Sequence, residues 1–373
     1  MAESDQTDSA AGGLQQVDGA AAIDSPGFDR RAFLRRTALS GVAAGSVGTL
    51  LAACGSSSNS ASGSSGGGSA EVFGSHKNYK FVFVNHVTTN PFFTPTQYGI
   101  ADACKLLGCS YQWTGSENSN VSQMVNAINT AVAAKADGIA VALIDLHAFN
   151  APVEKALAAG IPVIAYNADA ESNARLAYVG QDLKLAGEKM AERILEKVPS
   201  GEVALFIATP GSANLQPRIE GAEKVLKAKG ITTHAVATGA NVSEEQPAIE
   251  AFYKSHTAVK GMYSVDGGST ESLGKAMQKL GLKGKVHAGG FDLTEQTQNL
   301  IKAGFLEFTI DQQPYLQGFV PALQLFFYMV SGTQTGPFEA NTGLKFVTPE
   351  TVAPYLTKSR YEGTTSSAVV VKA

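Results

Sequence analysis

The sequence predicts an α/β protein built as two similar parallel-sheet lobes. Three observations carry that expectation. From residue 77 onward, short β-branched and aromatic runs alternate with helical patterns. A glycine closes one helical pattern after another just before the next apolar run, at Gly108, Gly160, Gly230, Gly281 and Gly304, the punctuation of βαβ units. The runs are also too many for one sheet of ordinary size, and 373 residues suffice for two domains. Composition agrees, since 44% hydrophobic and 17% charged residues describe a chain that buries large cores. The formal charge of -4 and the lack of a basic stripe with interleaved aromatics give no reason to expect nucleic acid as a partner.

The elements follow in order. Residues 1–28 are polar and acidic, with little to bury. Arg30 and Arg31 followed by Phe33 and Leu34 have the form of a twin-arginine export signal. The uncharged stretch 37–53 is only mildly hydrophobic, whereas a spanning helix wants about 20 strongly apolar residues, so it reads as the apolar part of an export signal. Leu51-Ala52-Ala53-Cys54 then resembles a lipoprotein cleavage box, in which Cys54 becomes the lipidated first residue of the mature chain. Residues 1–53 are thus expected as signal and 54–76 as a lipidated, flexible Gly/Ser-rich tether. The protein is expected outside the cytoplasm, lipid-anchored to the outer face of the cell membrane. In DACKLLGCSYQW, a Schellman-type turn around Gly108 puts Cys104 and Cys109 at positions whose side chains touch. A disulfide fits an oxidising compartment, and two free core thiols fit the same spacing.

The expected strands are KFVFVNH, CSYQWTG, GIAVALID, PVIAYNA and ARLAYVG, then EVALFIAT, THAVAT, GMYSVD, KVHAGGFD and LEFTIDQ. Helical stretches such as VSQMVNAINTAVAAKA, LQPRIEGAEKVLKAKG and STESLGKAMQKLG lie between them. In such sheets ligands bind beyond the carboxyl ends of the strands. Those ends carry Asn85, then Asn90 with Phe92 and Phe93, Asp145, Tyr166, Asn167 and Asp169. In the second half they carry Gln216, Arg218, Asp266, Asp292 and Gln312. Pro91 biases Asn90 away from the α region, so Asn90-Pro91-Phe92-Phe93 is a loop or a helix entry. Carboxylates accept from hydroxyls, amides donate and accept, and rings cover C–H faces, a mixture suited to a neutral polyhydroxylated molecule.

Each candidate has a structural alternative. Phe92 or Phe93 fits a core, and Asp266 and Asp292 fit caps of helices starting at Ser269 and Thr294. Arg218 fits an ion pair with Glu220 or another acid. Tyr166 and Trp113 fit strand packing, while Asp145 and Asp169 rest on strand-end position alone. Enzyme motifs are missing. No GxGxxG follows the first strand, GGST lacks the Walker lysine, and no GxSxG elbow joins a strand to a helix. There is no HExxH and no CxxC. The histidines do not cluster at ligand spacing, and only His86 and His147 are candidates for a cleft. Asp266 and Asp292 as a catalytic pair would depend on a separation that sequence does not give. Ligand binding without a cofactor is the economical expectation.

FVNHVTTNPFF, IPVIAYNADA, PRIEG, SVDGG, GGFD and FTIDQQP, in that order, resemble ribose-binding-protein-like periplasmic binding proteins of type I, the substrate-binding components of ABC importers for sugars. The resemblance runs over residues 77–345. It implies two doubly wound parallel-sheet lobes, 77–180 with 313–343 and 181–312 with 344–373, joined by a three-segment hinge that closes on one ligand. The implied crossings lie near Val179–Asp182, Asp311–Pro314 and Gly343–Phe346. Asn90 matches the family's asparagine, Phe92 and Phe93 its stacking pair, Asp292 the carboxylate of the second lobe, and Gln312 the hinge-side glutamine. Asp266 stands where an asparagine is common. Asn167-Ala168 stand where ribose binders have Asp-Arg, and Gln216 where they have an arginine. Both arginines that clamp a cyclic sugar are therefore missing, which puts a small acyclic sugar alcohol level with or slightly ahead of a pentose. The implied protein is a monomer that captures a carbohydrate or polyol and docks on a membrane permease. A binding protein that serves a receptor has the same sequence features. A repressor would need a DNA-binding head where this chain has an export signal, and an exported carbohydrate-active enzyme would show turnover.

Overall fold

The structure, a computed structural model, describes residues 73–333 and 336–356. The expected signal, Cys54, most of the expected tether and the last part of the expected second lobe lie outside them.

Two six-stranded sheets organise the described chain. The first holds Lys80–Asn85 (β1), Ser110–Gly115 (β2), Gly138–Val141 (β3), Val163–Tyr166 (β4) and Ala177–Gly180 (β5). The second holds Glu202–Ile207 (β6), Thr232–Ala237 (β7), Gly261–Ser264 (β8), His287–Phe291 (β9) and Phe308–Asp311 (β10). These are the ten expected runs. Two further strands, Glu339–Asn341 (β11) and Lys345–Val347 (β12), are three residues each and join as edges, β11 beside β5 and β12 antiparallel to β10. Neither EAN nor KFV announces itself as a strand, because edge pairing rather than an apolar run forms them.

The strand orders are β11-β5-β4-β3-β1-β2 and β12-β10-β9-β8-β6-β7. The central strands β3, β4, β8 and β10 are buried along their whole length, as sheets covered on both faces require. The helices are Thr94–Leu107 (α1), Val121–Ala133 (α2), Asn150–Ala158 (α3), Leu183–Leu195 (α4) and Gln216–Ala228 (α5). Val242–Ser255 (α6), Gly267–Lys279 (α7), Glu295–Lys302 (α8) and Pro314–Ser331 (α9) follow. In each sheet the first crossover runs one way and the later ones the other. With right-handed crossovers the helices therefore cover both faces, and the order reverses between β1 and β3 and between β6 and β8. The five glycines expected to end helices all have φ between 63° and 76°.

Both lobes use the same close approach of two helices. A Cβ on Gly99 of α1 would stand 2.1 Å from Tyr315 O of α9, and one on Gly187 of α4 would stand 2.1 Å from Arg218 O of α5. One apolar cluster fills the first lobe, centred on Phe83, Ile100, Val141 and Leu325. Two clusters fill the second, around Phe291 and around Phe206. The chain passes between the sheets three times: from β5 to α4, from β10 to α9, and from β11 to β12. At the front of the described chain, Phe73 and His76, within the expected tether, pack their rings on Phe326 of α9 at 5.2 and 4.9 Å. Among the described residues no helix is long and apolar enough to cross a membrane.

Candidate functional site

The two points of strand-order reversal face a cleft of about 300 Å³ between the lobes. Its walls are held close. Ala213 N–H of the second lobe donates to Ile144 O of the first at 3.0 Å, and Asn214 Nδ2 lies 3.4 Å from His86 Nε2.

On the first-lobe side, Asn90 caps a single 3-10 turn, Pro91–Phe93, by accepting from Phe92 N–H at 2.9 Å. That cap spends its carbonyl oxygen and leaves its amide NH₂ for the cleft. Phe92 and Phe93 both line the cleft and both are more than nine-tenths buried, packed edge to face at 4.7 Å. Core filling and cleft wall are here the same job. Behind them Phe93 leans on Trp113 at 6.1 Å, Trp113 on Tyr166 at 6.5 Å, and Trp113 Nε1 anchors the loop by donating to Thr88 O. Asp145 lines the rim, where the N–H groups of His147 and Ala148 hold its carboxyl below the usual range. His86 is buried against Phe93, and desolvation lowers its pKa to about 4, so it is neutral.

On the second-lobe side, Asp266 accepts from Ser269 N–H at 2.8 Å as the N-cap of α7 and from Ala208 N–H at 2.9 Å across the reversal point. It is thus a cap and a cleft residue at once. Asp292 is no cap, because Thr294 caps α8 with its own hydroxyl. Its carboxylate accepts from Gln312 Nε2 at 2.6 Å. Burial raises Asp292 to about 6, against the pull of Arg218 and Gln312. Burial also raises Asp266, opposed by its two backbone donors. Arg218 makes no ion pair with Glu220. It lies over the Phe291 ring at 4.2 Å and donates to Val265 O and Gln181 Oε1.

Asn167, Gln312 and Asp292 are joined in one chain of hydrogen bonds through the crossings between the lobes. Asn167 Nδ2 donates to Gln317 Oε1 at 3.0 Å, Gln317 Nε2 to Gln312 Oε1 at 3.0 Å, and Gln312 Nε2 to Asp292. Gln317 also donates to Thr342 Oγ1 at 3.1 Å, and Gln181 Nε2 donates to Gly343 O, so all three crossings are tied. Three non-glycine residues here, Asn167, Asp292 and Gln313, have left-handed φ of 65°, 71° and 56°. Strain of this kind persists only where surrounding contacts fix it. Sequence reasoning missed Gln181, Gln317, Asn214 and Glu245. Gln317 follows the FTIDQQP segment by one turn of α9, and that spacing was the available signal.

Three expected site residues do not line the cleft. Tyr166 is fully buried beneath it, accepting from Asn85 Nδ2 at 3.0 Å, because its strand position points it into the sheet's core. Asp169 pairs with Arg175, whose Nε donates at 2.6 Å, on another face. Gln216 opens α5 and accepts from Gly211 N–H at 3.0 Å. His147 is on an exposed turn. Cys104 and Cys109 are both free and buried at the end of α1, with the Cys109 thiol donating to Cys104 Sγ at 2.7 Å. That contact, with burial, pushes the Cys109 thiol upward. Among the described residues no cluster of three His, Cys, Asp or Glu could hold a metal ion.

The site combines buried carboxylates, amides and one guanidinium with an aromatic wall. The family profile of the periplasmic binding protein domain matches residues 81–332. The xylose/arabinose-binding protein XylF of Sulfolobus acidocaldarius is 51% identical over 308 residues, 78% of this chain and 76% of that one. An ABC transporter solute-binding protein of Burkholderia graminis, solved in complex with D-arabinose, matches with a TM-score of 0.71 and 26% identity over 75% of this chain and 98% of that one. GanP, a glucose-galactose binding protein of Geobacillus stearothermophilus, shares the fold at a TM-score of 0.69 and 24% identity, covering 74% and 99%. These relatives are solute-binding proteins rather than enzymes, and this chain belongs to the periplasmic binding protein family.

Proposed function

We propose that the protein is the extracytoplasmic solute-binding component of an ABC importer and captures a pentose of the xylose or arabinose type between its lobes. The observation that carries the reading is the cleft that sets Asp266 and Asp292 against Phe92 and Asn90, in a chain 51% identical to a xylose/arabinose-binding protein. Carboxylates and amides exchange water for sugar hydroxyls, and the rings cover a C–H face. Buried acceptors without a hydroxyl partner are costly, which rejects ligands that lack one. The lobes 77–180 with 313–343 and 181–312 with 344–373 move as two bodies about the three crossings. Closure is favoured because the ligand touches both walls. The closed form docks on a membrane permease, with Cys54 lipidated and residues 54–76 as the leash.

Calorimetry of the protein with xylose, arabinose, ribose and four- to six-carbon polyols tests the reading. Saturation to 100 times the dissociation constant adds about 2.7 kcal/mol to stability. Heat and thermal shift with a pentose support it, whereas silence with every pentose overturns it. A second reading, an acyclic sugar alcohol, is favoured by Ala168 and Gln216 at the two positions without a clamping arginine. Binding of a polyol alone decides for it.

A further inference from the structure

Glu245 lies in the first turn of α6 and is 2% exposed, yet it lines the cleft beside Asp266. Its Oε2 accepts from Ser272 Oγ at 3.1 Å. Its Oε1 lies against Gly268, where an added Cβ would come within 2.6 Å of it. Oε1 has no protein donor among the described residues. Three carboxyls, Glu245, Asp266 and Asp292, thus share one wall with a single guanidinium, Arg218.

Three carboxyls make that wall rich in acceptors. Two of the five N–H groups of Arg218 go to Val265 O and Gln181 Oε1, and its buried Nε has no partner. One N–H of the Gln312 amide goes to Asp292, and one of Asn167 to Gln317. Sugar hydroxyls donate to carboxylates, but a ring oxygen can only accept.

We propose that Glu245 is a further specificity-determining residue, its carboxylic acid O–H donating to an acceptor-only oxygen of the bound carbohydrate, the ring oxygen of a pentose. The inference rests on the carbohydrate reading above. The charged groups facing it are Asp266 from the turn before α7, and Glu271 and Lys275 from α7 itself. Burial, with Asp266 alongside, pushes Glu245 up to about 8, so the acid form prevails below that pH. Three carboxyls beside a single guanidinium disfavour anionic ligands such as sugar acids.

Two measurements test this. Carbon-13 NMR of glutamate-labelled protein without ligand, with Glu245→Gln to identify the signal, should show a carboxyl titrating near 8; a midpoint in the ordinary glutamate range overturns the proposal. Calorimetry with xylose and with arabinose should show affinity falling about tenfold between about pH 6 and about pH 9, as expected for one lost hydrogen bond and an added buried charge. Glu245→Gln, whose amide cannot ionise, should flatten that profile, and Glu245→Ala should weaken binding about tenfold at the lower pH. A profile that persists in Glu245→Gln, or undiminished affinity in Glu245→Ala, overturns the proposal. If neither pentose binds the unaltered protein at any pH, the pentose reading fails, and the carboxyl titration alone then decides the state of Glu245.

Discussion

Asp292 shows how a buried cleft carboxylate burdens the fold that carries it. It is 6% exposed, has a left-handed φ of 71°, and burial raises it to about 6 from an ordinary value of 3.8. Keeping it ionised at neutral pH costs on the order of 3 kcal/mol before ligand arrives. Asp292→Asn retains an oxygen for Gln312 and removes the charge. The ligand-free variant should therefore melt a few degrees higher than the unaltered protein, while the pentose-induced shift disappears. A lower melting point would mean that attraction to Arg218 outweighs burial, and a surviving shift would remove Asp292 from the site. Sequence placed this residue because GGFD ends a strand at its carboxyl end. It could not place Glu245, which lies on a helix face among other acids and reaches the cleft beside Gly268. Tyr166 went the other way: strand-end position suggested the cleft, but alternation along the strand turned the ring inward.

The elements themselves were the most legible part, since helix, glycine and apolar strand repeat with little ambiguity from β1 to β10. β11 and β12 were opaque as strands because three residues with no periodicity pair only once two sheets exist to receive them. The contact between α4 and α5 gives the element scale its own prediction. Gly187 lets α4 approach so closely that a Cβ would stand 2.1 Å from Arg218 O and 2.8 Å from its Cα. Gly187→Ala must push α5 away, and overpacking of this kind costs about 1–3 kcal/mol. Arg218 is carried on the displaced segment, so pentose affinity should fall together with the melting temperature. By contrast, Leu185→Ala, on the same helix but 39% exposed, should change neither appreciably. Equal pentose affinity in Gly187→Ala and the unaltered protein would show that Arg218 is positioned without help from this helix pair.

For the whole molecule, the buried acids of the cleft set an unusual pH dependence. A carboxyl with a raised folded pKa contributes stability that is complete below its unfolded value, near 4, and lost as pH rises through the folded one. Asp292 therefore withdraws stability up to about pH 6 and Glu245 up to about pH 8. The ligand-free protein should melt higher at mildly acidic pH than at mildly alkaline pH, and Asp292→Asn combined with Glu245→Gln should reduce that slope. A melting temperature that rises across this interval would contradict the electrostatic account of the cleft. Gln317 links Asp292 to the crossings between the lobes. It is fully buried, lies outside the cleft wall, and joins Asn167 of one lobe to Gln312 and Asp292 of the other while also holding Thr342. Gln317→Leu keeps the volume roughly but strands the amide of Asn167 and the oxygen of Gln312, each costing about 1–3 kcal/mol where no water reaches. If the lobes close as two bodies around a pentose, this variant should bind about tenfold more weakly without losing any ligand contact. Small-angle scattering should then show a smaller ligand-induced contraction than in the unaltered protein at the same pentose concentration. Unchanged affinity with full contraction would show that the two walls meet the ligand independently, and that this hydrogen-bond chain serves the fold alone.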